Sequence, residues 1–290
     1  MKNQLKTHFL LGVLSSLLMS VGGALGPGYF YGFTALALLM NLGAYFFSDR
    51  IVLKLHGAQE VTPEQAPALH RMVDELARRA QIPKPRVCIM RGEQPNAFAT
   101  GRNPQHGVVA VTEGISRLLS ERELRGVLAH EIAHIKNRDI LVSSIAAVIA
   151  AAVGYIANAL SFTSLFGGST QDSEEERGSD AGNLLLILVA PLVATLVQLG
   201  ISRAREYMAD ETGAAISNDP EALAGALEKL AYGAAVFPPV VEQPATASLF
   251  IVNPFTGGSR LMNLFSTHPP MDERIRRLRG MVRQYQRVAA

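Results

Sequence analysis

The chain has 290 residues; 48% are hydrophobic, only 18% are charged, and the mean hydropathy is +0.18. That composition excludes a disordered chain and argues against an ordinary soluble enzyme. The net charge of +2 gives no basis for a nucleic-acid partner, and the single Cys88 excludes an internal disulfide and a cysteine-only zinc site. The charges are also unevenly placed. No Asp, Glu, Lys or Arg occurs in 9–48, 140–171 or 181–202, while the rest has the charge density of a soluble domain, about 25%. The chain therefore reads as four parts: an N-terminal transmembrane hairpin (1–48), a first soluble part (49–139), a second transmembrane pair (140–202) and a second soluble part (203–290).

A membrane-spanning helix needs about 20 apolar residues. Phe9–Leu25 and Tyr29–Phe47 fit, with Gly26-Pro27-Gly28 as a tight turn between them. Lys2 and Lys6 before an apolar run also suit a signal peptide, but the second span and the lack of a clear cleavage site favour a retained hairpin. Pro63–Ala80 reads as an amphipathic helix with Thr62 as N-cap and Leu69, Met72, Val73 and Leu76 on its apolar face. Arg86–Met90, Asn96–Thr100 and Val108–Thr112 read as short strands. Glu121–Arg138 reads as a helix, with Leu124, Val127, Leu128, Ile132 and Ile135 at apolar positions. No Gly or Pro lies between His130 and Val153, so this helix is expected to continue unbroken into the third span, Ile140–Leu160. The fourth span is Asn183–Ile201; the acidic loop 172–180 between them receives no role. The rival for 140–201 is a buried or partly inserted hairpin. Ser202–Ile216, Pro220–Tyr232 and Met271–Tyr285 follow as helices, with a long loop over Val236–Thr267. The fold class is α+β, mostly helical, with a small β-sheet and four transmembrane helices. Basic residues flank every span on one side: Lys2 and Lys6, Arg50 and Lys54, Lys136 and Arg138, Arg203 and Arg205. Both termini and both soluble parts should then face the cytoplasm.

The chemistry concentrates in His130-Glu131-Ile132-Ala133-His134, an H-E-x-x-H motif within a predicted helix. Positions i and i+4 share a helix face, so two imidazoles can meet one ion. Glu131 lies beside that face, where a carboxylate can take a proton from water whose pKa zinc lowers to about 7. Catalytic zinc takes three protein ligands and keeps one position open. No third His follows at the extended spacing, and Glu206 in Arg205-Glu206-Tyr207-Met208-Ala209-Asp210 is the best candidate. Asp210 lies one turn later and suits a carboxylate that orients His130. Asp139 reads as a helix-end or ligand-supporting residue. Cys88 reads as a packed strand residue.

These residues resemble the gluzincin metallopeptidases. The four apolar segments narrow the resemblance to the HtpX-type membrane zinc proteases, which are related to the eukaryotic CaaX prenyl proteases. It covers nearly the whole chain and includes Asn96-Ala97-Phe98-Ala99, the extension to Asp139, and Thr267-His268-Pro269-Pro270 followed by Arg274. The resemblance implies one Zn2+ per subunit on His130, His134 and Glu206, with Glu131 as general base. It implies that Asn96, Ala97, Phe98 and Ala99 form an edge strand that pairs with substrate backbone. His268 and Arg274 would lie near the substrate carbonyl. It further implies a multi-pass protein of the bacterial inner membrane, cutting misfolded or damaged membrane proteins at a cytoplasmic site in stress-linked quality control. Three rivals remain. An intramembrane protease is disfavoured by the charges flanking the motif, and a prenyl-protein protease by the short chain. A non-catalytic scaffold or chaperone with a structural zinc would need a fourth ligand or a missing base. The oligomeric state is not legible in the sequence.

Overall fold

The computed structural model describes residues 8–9, 11–12, 15–16, 18–20, 22–23, 26–148, 203–236, 251 and 269–289. Among them helices dominate around one four-stranded sheet, ordered β1-β2-β4-β3. The strands are β1 (Gln59–Glu60), β2 (Arg86–Met90), β3 (Ala97–Thr100) and β4 (Val108–Thr112). β2 and β4 run parallel, and the two outer pairings are antiparallel. Strands β2 to β4 are apolar almost without alternation because both faces of the sheet are covered there. Val87, Val109, Val111, Ala97 and Ala99 belong to the main core, while Cys88, Met90, Phe98, Val108 and Ala110 pack beneath with Val52, Leu53 and Ala147. The main core draws residues from Leu69 to Leu278, so the stretches on either side of 149–202 share one apolar interior.

The first long helix, α1 (Pro27–Leu55), starts two residues before the expected Tyr29, after Gly26 at φ 126°, so Pro27 and Gly28 belong to the helix and not to the turn. Among the described residues it is the one helix long and apolar enough to cross a membrane, with a mean hydropathy of 1.4 in its best window. Its large side chains Tyr31, Leu38 and Leu39 are exposed, an arrangement that suits lipid rather than water. It runs past Phe47 to Leu55, so its last turns carry Val52 and Leu53 directly under the sheet. The described residues between 8 and 23 are helical; Asn41 Nδ2 donates to Ser15 Oγ at 2.7 Å, tying them to α1. The third and fourth spans beyond 148, the acidic loop 172–180 and most of the long loop lie outside the described residues.

Two sequence expectations need correction. Helix α2 spans Pro67–Ala80, not Pro63–Ala80. Pro67 pushes the residue before it out of the helical region, and Ala66 sits at φ −138°. Thr62 instead opens a turn that its own amide closes on Gln65 Oε1 at 2.8 Å. The motif helix also ends early. After α3 (Glu113–Leu118) comes α4 (Glu121–Lys136), started by a capping box between Ser120 and Glu123. It does not run on into the third apolar segment: Arg138 takes φ 56°, a left-handed conformation, and a new helix occupies 140–148. Neither Gly nor Pro causes the break. The left-handed residue turns Asp139 back, and its carboxylate lies 3.1 Å from His134 Nδ1. The remaining helices are α5 (Arg203–Ser217), α6 (Pro220–Val236) and α7 (Met271–Ala289).

Candidate metal centre

Helix α4 is buried at the centre of the main core, and two glycines let other helices close on it. A Cβ at Gly126 would meet Leu223 N of α6 at 2.7 Å, and one at Gly213 would meet the His130 backbone at 2.9 Å. Gly213 follows Glu206 and Asp210 at spacings of seven and three residues, so all three lie on one face of α5. The absent side chain at 213 therefore sets the depth at which both carboxylates meet α4.

The result is a compact donor set. Ligating atoms of His130, His134 and Glu206 all lie within 4.8 Å of one another. His130 Nε2 and His134 Nε2 are 3.2 Å apart; Glu206 Oε2 is 3.7 Å from the first and Oε1 3.6 Å from the second. A tetrahedral ion with ligand bonds of about 2.0–2.1 Å places its ligand atoms about 3.3–3.4 Å apart, so the three atoms fit one such ion. Both imidazoles are oriented through Nδ1. Asp210 Oδ1 lies 2.9 Å from His130 Nδ1, and Asp139 lies 3.1 and 3.2 Å from His134 Nδ1. A carboxylate on Nδ1 fixes the ring with Nε2 facing the ion.

The site is also densely charged. Glu131, Asp139, Glu206 and Asp210 are buried carboxyl groups, faced by two buried guanidiniums, Arg205 and Arg274. Buried charge must be compensated. Burial lifts the Glu131 carboxyl to about 8, against the opposing pull of His134 and a hydrogen bond from the Ala99 amide. Burial also works against charge on His134, but Asp139 outweighs it and raises that ring to about 10; His130 is held below its ordinary value by burial.

The other candidate residues are placed as follows. Arg274 is fully buried and holds Asp210 with two bonds, Nε to Oδ2 at 2.8 Å and Nη2 to Oδ1 at 2.7 Å. Its Nη1 lies 3.7 Å from Glu206 Oε2 and, among the described residues, has no hydrogen-bond partner. His268 lies outside the described residues. Asn96 is buried; its amide nitrogen donates to Thr112 Oγ1 at 2.9 Å, and its Oδ1 accepts from the Ile251 amide at 3.2 Å. Among the described residues β3 is an edge of the sheet. Thr112 N donates to Asn96 O, so the antiparallel alternation turns the backbone groups of Phe98 and Thr100 toward β4. Those of Ala97 and Ala99 point to the open edge, which is why the Ala99 amide reaches Glu131. Arg205, 7% exposed beside Glu206, escaped the sequence reading; an Arg next to a candidate ligand near a span boundary reads as a topology flank.

Comparisons with known proteins agree with this arrangement. The family described as "Peptidase family M48" matches residues 63–282. "Protease HtpX homolog" of Syntrophobacter fumaroxidans is 52% identical over 284 residues, covering 97% of this chain and all of that one. The protein of the same name in Aquifex aeolicus is 51% identical over 275 residues, covering 93% and 90%. Among solved structures, that of S. mikatae Ste24p superimposes with a TM-score of 0.50 at 17% identity. That match covers 96% of this chain but spans only 65% of the solved chain, and it bears on the fold alone.

Proposed function

The chain belongs to peptidase family M48, and on that premise we propose that it is a membrane-anchored zinc endopeptidase that cleaves misfolded or damaged membrane proteins on the cytoplasmic side, in stress-linked quality control. The observation that carries the reading is the three-atom donor set of His130, His134 and Glu206, with a carboxylate behind each imidazole. Zinc held there would supply Lewis acidity, lowering the pKa of water and polarising a peptide carbonyl.

The protein's own groups do the rest. Asp210 and Asp139 orient the two imidazoles. Glu131, whose burial raises its proton affinity, takes a proton from the attacking water and passes it to the leaving nitrogen. The outward amide of Ala97 and the outward carbonyls of Ala97 and Ala99 bind an extended substrate as an added strand, which reads backbone more than side chains. Asn96 and Phe98 hold that strand from behind. Arg274 spends two nitrogens on Asp210, so its donor to the substrate oxygen is Nη1; His268 is proposed to act with it. The four-span topology, with all soluble parts in the cytoplasm of a bacterial inner-membrane protein, is supported by α1 and by the basic flanks. A structural-zinc scaffold would lack a base, and Glu131 is present and aimed beside the donor set.

Removal of metal with a chelator should abolish casein cleavage by the detergent-purified protein, and added Zn2+ should restore it. Cleavage that persists without metal would refute the reading. A reporter fused within 169–179 should behave as exported, and one after Ala290 as cytoplasmic; a cytoplasmic result for the first would remove the four-span topology while leaving the metal centre untouched.

A further inference from the structure

The helix at 140–148 touches the site at two points. At its start, Asp139 accepts the Ser143 amide on its carbonyl while its carboxylate holds His134. Five residues on, Ser144 Oγ lies 2.7 Å from Thr100 Oγ1, and both side chains are fully buried. Ser144 Oγ is also 2.7 Å from the Ile140 carbonyl, which can only accept. The direction of the chain follows: Thr100 donates to Ser144, and Ser144 donates to Ile140. Thr100 is the last residue of β3, and the strand cannot be re-formed by sliding there, because Gly101 at φ 134° leaves no room for a Cβ against His106 O. The same helix packs Val142 and Ile145 on Ala44 of the membrane helix α1, and Ala147 in the cluster that includes Phe98 of β3.

We propose that Ser144 is a positioning residue for the protease: with Thr100 it locks the edge strand β3 to the helix whose first turn carries Asp139, so that substrate strand and metal ligand are held in one register. This rests on the reading of β3 as the substrate edge. One rigid element then fixes two distances, from β3 to its neighbours through Ser144 and from His134 to the same helix through Asp139. The register in which Ala97 and Ala99 present a peptide to Glu131 depends on both.

The test uses full-length protein loaded with zinc in detergent, with a quenched fluorescent casein-derived peptide as substrate. Ser144→Ala leaves the Thr100 hydroxyl buried and unpaired, so KM should rise about tenfold with kcat changed less than about twofold. Zinc content should stay at wild type. Hydrogen exchange of segment 96–101 should quicken without substrate present. The double variant Thr100→Val/Ser144→Ala leaves no unpaired hydroxyl and guards against simple misfolding; it should show the same loosened strand and raised KM. Thr100→Ser, which keeps the hydroxyl, should return KM to wild type where Thr100→Val does not. Unchanged exchange in Ser144→Ala and in the double variant would overturn the lock while leaving the substrate edge intact. Faster exchange with unchanged KM would instead show that β3 is not the substrate edge. Loss of zinc in step with activity would reduce Ser144 to a structural residue and overturn the proposal.

Discussion

Asp210→Ala tests how the site is built, because Asp210 serves two partners at once. It accepts two bonds from Arg274 and lies 2.9 Å from His130 Nδ1. Arg274 is fully buried, and removing its carboxylate strands a guanidinium in the core. Breaking a buried pair in this way costs about 3–5 kcal/mol, a fifth or more of the roughly 5–15 kcal/mol that holds a typical domain together. For a domain of this size that corresponds to a fall in Tm of roughly 6–20 °C. Loss of the carboxylate behind His130 should separately weaken zinc about 10–100-fold. The double variant Asp210→Ala/Arg274→Met separates the two effects. It removes the stranded charge, so most of the Tm should return, but His130 still lacks its partner and zinc affinity should stay low. Thermal unfolding in detergent and zinc competition against a chromophoric chelator read the two quantities. If the double variant were as unstable as the single one, the stranded guanidinium would not be the cause. If Asp210→Ala bound zinc as tightly as wild type, the orienting role would be refuted.

Two further outcomes follow from charge and burial. Burial pushes the Cys88 thiol up to about 11 and leaves it 1% exposed, so a maleimide at pH 8 should label it only after denaturation; rapid labelling of native protein would place β2 at the surface. Asp219 caps α6 through the Ala222 amide and pairs with Arg122, which holds its carboxyl below the ordinary value of 3.8. Its stabilising effect is present above the unfolded pKa and disappears as pH falls through the lowered folded value. Asp219→Ala should therefore cost about 1 kcal/mol at pH 7, and the gap from wild type in thermal unfolding should narrow as the pH drops below 3.8; a gap that widened in acid would reverse the assigned sign.

The legible parts of this protein were the ones written in local spacing. His130 and His134 fall one turn apart on α4, and Glu206 and Asp210 one turn apart on α5, so each pair is fixed by helix geometry before any tertiary contact forms. The strands were legible because β-branched and apolar runs sit between turn residues, although β1, only two residues long, carries too little pattern to be seen. What escaped was set by contacts between distant residues. The break at Arg138 has no helix-breaking residue; the left-handed backbone there brings the Asp139 carboxylate to His134, a contact that local spacing does not announce. Arg274 is singled out in sequence only by the resemblance, and its pairing with Asp210 is not foreseen, because four other arginines lie between 274 and 283 and nothing local tells which one points inward. The start of α2 was misplaced because two prolines compete, and Pro67 rather than Pro63 occupies the first helical position. Thr100 and Ser144 are ordinary small polar residues in sequence, and only the fold brings their hydroxyls together.

The account stands most directly on a paired measurement of Glu131→Gln. The substitution keeps all three donors and the shape of the site but removes the carboxylate that takes the proton. Zinc per chain, measured on detergent-purified protein, should match wild type, while casein cleavage should fall to background. Cleavage at the wild-type rate with zinc in place would contradict the assigned mechanism, and loss of zinc from this variant would show that Glu131 helps to hold the metal rather than serving as the base.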